Sequence, residues 1–131
     1  MASTFVDVLV QRAAEPSAAA FDVVDRAGST FLGWAEVDSR ARAVAASLAG
    51  RGLTGRRVAV LLPPGAAYVT VLLGCLYAGA VAVPLPPLPP AEHPDRPRRL
   101  AVVPDAAPAA VLADAAPAAV LADAAPAAVL A

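Results

Sequence analysis

The chain has 131 residues, 59% of them hydrophobic and 16% charged, with a net charge of −1. That length suits one domain able to bury about two-thirds of its unfolded surface, and the composition is too apolar for a disordered chain. The balanced charge leaves no basic field to draw in nucleic acid or an anionic membrane. All ten cations are arginine, so any mechanism that needs a lysine from this chain is excluded.

In chain order, residues 4–14 read as an amphipathic helix. Thr4 can cap it with Asp7 three residues on, Val6, Leu9, Val10 and Ala13 share one face, and Pro16 stops it. The opening has no positive region and carries Asp7, so it does not read as a secretory signal, and the expected compartment is the cytoplasm. "AAFDVV" and "STFLG" flank the turn "DRAGS" and predict a hairpin. The clearest helix is 34–49. Trp34, Val37, Ala41, Val44, Ala45 and Leu48 fall on one side, with Glu36 facing Arg40 and Asp38 facing Arg42 on the other. Gly50 and Gly52 end it.

From Val58 to Ala91 no residue is charged. A membrane span would need about 20 apolar residues, but prolines and glycines break this run into three parts of different character. "VAVLL" is a buried strand, the segment opened by Pro63-Pro64-Gly65 is an apolar helix to about Ala78, and "VAVP" is a strand again. Strand, helix and strand with short links predict a parallel crossover, buried on both faces, in an α/β fold. A membrane is not expected as a partner.

Seven prolines between Pro84 and Pro97 require an extended loop. "PLPPLPP" resembles a ligand for a domain that reads polyproline II helices, but no arginine or lysine flanks its core, which favours a rigid connector. A short helix at 98–103 and a small strand at 109–113 follow. His93 in the loop has no spaced cysteine or second histidine and reads as a solvated side chain. Cys75, the one cysteine, sits in an apolar run and reads as a buried structural thiol.

Residues 105–131 are one nonamer, Asp-Ala-Ala-Pro-Ala-Ala-Val-Leu-Ala, written three times without a difference. It lacks the glycines of a calcium-binding solenoid, and Pro108, Pro117 and Pro126 forbid one continuous helix. Asp105, Asp114 and Asp123 recur too far apart to converge on a metal. Perfect identity points to a tandem duplication. The first copy belongs to the fold, and the other two read as surplus, so the expected division is 1–113 and a duplicated tail at 114–131.

The stretch "LLPPGAAYVTVLLGCLYAGAVAVPLPP" resembles the N-terminal part of the adenylate-forming (AMP-binding) acyl ligases, most of all the fatty acyl-AMP ligases of polyketide and lipid synthesis. The likeness runs over residues 3–113, with "GCLYAGAVAVPLPP" its most specific piece. Gly33 stands where the family usually has a serine or threonine cap, and Arg56 where it commonly has an acidic residue. The resemblance implies a partial N-terminal subdomain with a parallel βαβ core and flanking helices. In the whole enzyme it implies fatty acid and ATP giving acyl-AMP and pyrophosphate, with magnesium, and transfer of the acyl group to the thiol of an acyl carrier protein or polyketide synthase.

The family's phosphate loop ending Gly-x-Pro-Lys, its later acidic residues and its catalytic lysine have no counterpart in these residues. "PPGAA" has one glycine before a helix, and "AGRGLTGRR" ends a helix and feeds a strand, so both read as turns. No catalytic, cofactor-binding or metal-binding residue is assigned, and the chain is expected to be inactive alone. The alternative is a non-catalytic α/β domain that binds a protein through the proline loop 84–97.

Overall fold

The computed structural model describes residues 3–15, 19–113 and 129–130. Helix α1 (Phe5–Ala13) precedes the strands β1 (Ala19–Asp25) and β2 (Gly28–Gly33), which pair as an antiparallel hairpin with a bulge between Ala19 and Phe21. Then come α2 (Trp34–Gly50), β3 (Arg57–Leu61), α3 (Ala66–Tyr77), β4 (Val81–Pro84), α4 (Arg96–Asp105), β5 (Ala110–Ala113) and β6 (Val129–Leu130). The second sheet has the order β4-β3-β5-β6, with every pair parallel. Among the described residues, no helix is long and apolar enough to cross a membrane.

The expected capping box forms at α1. The Thr4 hydroxyl accepts from the Asp7 N–H at 3.1 Å, and the Thr4 N–H donates to Asp7 Oδ2 at 2.8 Å. These bonds hold the Asp7 carboxyl below its ordinary range. Of the apolar face expected for α1, only Leu9 is buried, while Val10 is exposed. α2 has Gly33 as its N-cap, without a side-chain bond. It buries Val37, Ala41 and Leu48 and forms the two ion pairs read from its spacing, Glu36–Arg40 exposed and Asp38–Arg42 with Asp38 half-buried.

Strand β3 lies at the centre and explains its unbroken apolar run. Side chains alternate across a strand. Val58, Val60 and Leu62 therefore pack with Leu48 of α2 and Cys75 of α3, and Ala59 and Leu61 pack with Val103 of α4 on the opposite face. Each valine or leucine among these contributes roughly 1.5–3 kcal/mol on full burial. Leu9, Leu32, Val37, Ala41 and Leu73 form a third cluster joining α1 and the hairpin to α2 and α3. Phe21 meets Trp34 edge to face there, with centroids 5.5 Å apart.

Two elements differ from the sequence expectation. α4 runs from Arg96 to Asp105, longer at both ends than 98–103. Pro97 lies in its first turn, where a missing N–H costs nothing, while Pro104 lies inside the last turn and cannot donate to the Leu100 carbonyl. The third nonamer, taken as surplus, contributes β6, which pairs with β5.

Candidate functional site

In open α/β sheets a ligand usually binds beyond the carboxyl ends of the strands, where successive crossovers leave in opposite directions. Here the crossover through α3 carries the chain from β3 to its neighbour β4, and the crossover through α4 carries it to β5 on the other side of β3. The switch point is the corner between the carboxyl ends of β3 and β5.

The chain leaves β3 at that corner as Leu62-Pro63-Pro64-Gly65 and enters α3. Two consecutive prolines remove two N–H donors, and Gly65 caps α3 without a side-chain bond. A phosphate cradle needs several converging N–H groups at a helix start. "PPGAA" is thus a tight strand-to-helix turn, as its single glycine implies.

The other glycine-bearing stretch lies at the opposite end of the sheet. Gly55 takes a left-handed φ of 75°, and its N–H donates to the Gly79 carbonyl at 2.9 Å, tying together the turns that precede β3 and β4. Beside it is an open depression of about 720 Å³ lined by Gly55, Arg56, Arg57, Val81 and residues 107–109. Arg57 Nη1 donates to the Ala106 carbonyl at 3.1 Å, so this guanidinium braces the α4–β5 connection. The depression faces the amino ends of the strands, away from the switch point.

Cys75 is fully buried, and desolvation pushes its thiol up to about 11, which leaves it protonated and inert at neutral pH. His93 is exposed, and its Nδ1 accepts from the Asp95 N–H at 3.2 Å, shaping the turn before α4. Among the described residues, no group of three or more histidine, cysteine or acidic side chains could hold a metal.

The proline loop turns inward. Leu85 and Leu88 pack against the cluster under α4, the Leu85 N–H donates to the Val60 carbonyl at 3.0 Å, and Arg96 donates to the Pro89 carbonyl. A partner reading "PLPPLPP" would have to strip those leucines from the core, so the rigid-connector reading fits this geometry.

One polar network extends the Asp38–Arg42 pair read from the spacing to a second helix. The Tyr77 hydroxyl donates to Asp38 Oδ1 at 2.8 Å, Arg42 Nε donates to Asp38 Oδ2 at 2.8 Å, and the Arg42 guanidinium lies 5.6 Å from the Tyr77 ring centre. Burial works to raise the Asp38 pKa, but the bonds from Arg42 and Tyr77 outweigh it and hold the carboxyl below its ordinary range. Burial, with the Asp38 bond second, pushes Tyr77 up to about 12. The network clamps α3 to α2.

Because the folded-state pKa of Tyr77 lies above its ordinary 10.0, its stabilisation is complete below pH 10 and disappears as the pH climbs through about 12. Urea midpoints measured across that window are expected to fall more steeply for the parent than for Tyr77→Phe. Parallel curves would show that the phenol is not held in this way.

The chain matches the family model described as "AMP-binding enzyme" over residues 10–130. It is 40% identical over 101 residues to the long-chain-fatty-acid–AMP ligase FadD26 of Mycobacterium tuberculosis, covering 73% of this chain and 17% of that protein. It is 36% identical over 88 residues to the medium-chain-fatty-acid–[acyl-carrier-protein] ligase JamA of Moorena producens, covering 65% of this chain and 15% of that protein. A solved structure from a study of fatty acyl-adenylate ligases of E. coli and L. pneumophila superposes with a TM-score of 0.80 at 29% identity, covering 97% of this chain and 24% of that one. The chain therefore spans less than a fifth of the length of these curated relatives.

Proposed function

The chain belongs to the AMP-binding enzyme family, and from that premise we propose that it is the leading scaffold portion of a fatty acyl-AMP ligase, without chemistry of its own. In the complete enzyme a fatty acid carboxylate oxygen attacks the α-phosphorus of ATP, the bond to the β-phosphate oxygen breaks, and acyl-AMP and pyrophosphate result. The acyl group then passes to a carrier-protein thiol. The names of FadD26 and JamA support the acid class and the carrier step.

The observation that carries the reading is the contrast between fold and chemistry. The parallel sheet and its helices superpose on a fatty acyl-adenylate ligase over nearly the whole chain. Displacement at phosphorus requires donors and cations aimed at the phosphate oxygens, yet the switch-point turn presents consecutive prolines and the sequence has no lysine. This portion instead supplies the buried strand β3, the α2–α3 pair that backs it, and the proline loop that closes the other face.

ATP–pyrophosphate exchange tests the proposal. The purified 131-residue chain, given magnesium, ATP and medium- or long-chain fatty acids, is expected to show no exchange above a protein-free blank. Fatty-acid-dependent exchange by this chain would overturn the scaffold reading.

A further inference from the structure

The depression of about 720 Å³ at the amino ends of β3, β4 and β5 takes no part in the scaffold reading. Which donors its walls leave free decides what it can hold. The Gly55 N–H donates to the Gly79 carbonyl, Arg56 to Leu53, Val81 to Arg56, Ala107 to Pro104 and Ala109 to Arg57. Pro108 has no N–H. No run of free amides is left of the kind that cradles a phosphate.

The free donors are two guanidinium groups. Arg56 and Arg57 both line the depression and are exposed, and neither forms an ion pair among the described residues. Arg57 spends one N–H on the Ala106 carbonyl, which leaves the rest of its fork available. Beside that bond Ala107 holds a left-handed φ of 45°, a conformation unfavourable for any residue but glycine. Arg57 thus braces a strained turn that forms one wall. Arg56 stands where the family pattern commonly has an acidic residue, so the charge at this corner is reversed in this chain. Val81, 51% exposed, and Pro108 add apolar surface to the same depression.

We propose that this depression binds an organic carboxylate, with Arg56 and Arg57 supplying the donors and Val81 and Pro108 receiving the carbon skeleton. A guanidinium fork matches the two coplanar oxygens of a carboxylate, and such charge-assisted bonds are stronger than neutral ones. The carboxylate comes either from a free small acid or from an acidic side chain of a peptide. In both cases the site lies at the opposite end of the sheet from the switch point and is separate from acyl adenylation.

Amide chemical shifts of the full chain test this, titrated at constant ionic strength with succinate or with the blocked dipeptide acetyl-Glu-Leu-amide. Saturable shifts at Gly55, Arg56, Val81 and Ala109 are expected with at least one probe, and the tighter probe identifies the source. Arg56→Gln is expected to weaken that binding about ten-fold or more. Arg56→Lys, which keeps the charge and loses the fork, should weaken it less. Position 56 is exposed, so neither substitution is expected to move the thermal melt. Absence of saturable shifts with both probes overturns the proposal. So does binding that Arg56→Gln leaves intact, or inorganic phosphate binding as tightly as the better probe.

Discussion

Replacing Gly74 with valine is expected to lower the unfolding free energy by about 3 kcal/mol, because two helices cross at this point with no room for a side chain. A Cβ built on Gly74 would lie 2.5 Å from both Cβ and Cγ1 of Val44 and 3.1 Å from the Ala41 carbonyl oxygen. No rotamer of Val44 moves its own Cβ, so α2 and α3 must separate. Separation would loosen Leu48 and Cys75 against β3 and strain the clamp between Tyr77 and Asp38. Alanine should cost less, since about 1 kcal/mol of helix propensity offsets part of its clash. Urea unfolding checks this. Adding Val44→Gly to Gly74→Val is expected to recover part of the loss, whereas strictly additive effects would show that the two positions do not touch.

Val60→Asp is expected to cost more than about 4 kcal/mol and so to leave little folded protein at neutral pH. Val60 is 0% exposed on the central strand, and the buried members of its cluster are Leu48, Leu53, Val58, Leu62, Cys75, Ala80, Ala109 and Ala110. None of these can donate a strong hydrogen bond from its side chain or offset a negative charge. Val60→Ala, which leaves only a small cavity, should instead cost about 1–3 kcal/mol and keep a cooperative transition. Circular dichroism and a thermal melt separate the two outcomes. A native-like melt for Val60→Asp would mean that this strand is not the buried centre of the sheet.

The features legible in the sequence are those written in local spacing. Thr4 and Asp7 sit three apart and form their box, and the buried residues of α2 follow the helical stripe from Val37 to Leu48. The uncharged run around Val58–Leu62 marked a strand covered on both faces, which the alternation between two clusters explains. The features missed depend on contacts between distant residues. Gly74 reads locally as a weak point in a helix, and only Val44 across the crossing gives it a purpose. Tyr77 and Asp38 are on different helices, so no spacing announces their bond. The nonamer's own spacing shows no helix, solenoid or metal-ligand pattern. Strand β5 of the first copy pairs with β6 of the third, a contact between distant residues.

The candidate site divides in the same manner. The turn character of "PPGAA" and "AGRGLTGRR" and the buried state of Cys75 followed from composition and neighbours. The inward packing of Leu85 and Leu88 did not, because an extended proline segment has no periodicity to show which face is covered.

A chimera measures the scaffold role most directly. Residues 3–113 of this chain would replace the matching segment of an active fatty acyl-AMP ligase, and fatty-acid-dependent ATP–pyrophosphate exchange would be compared with that of the parent ligase. If this portion supplies framework while the rest of the enzyme supplies phosphate-binding and acid–base groups, the chimera should exchange within about ten-fold of the parent, a barrier change of roughly 1.4 kcal/mol or less. A chimera that is soluble and melts cooperatively but shows no exchange would contradict it, because the segment would then carry groups the reaction cannot do without.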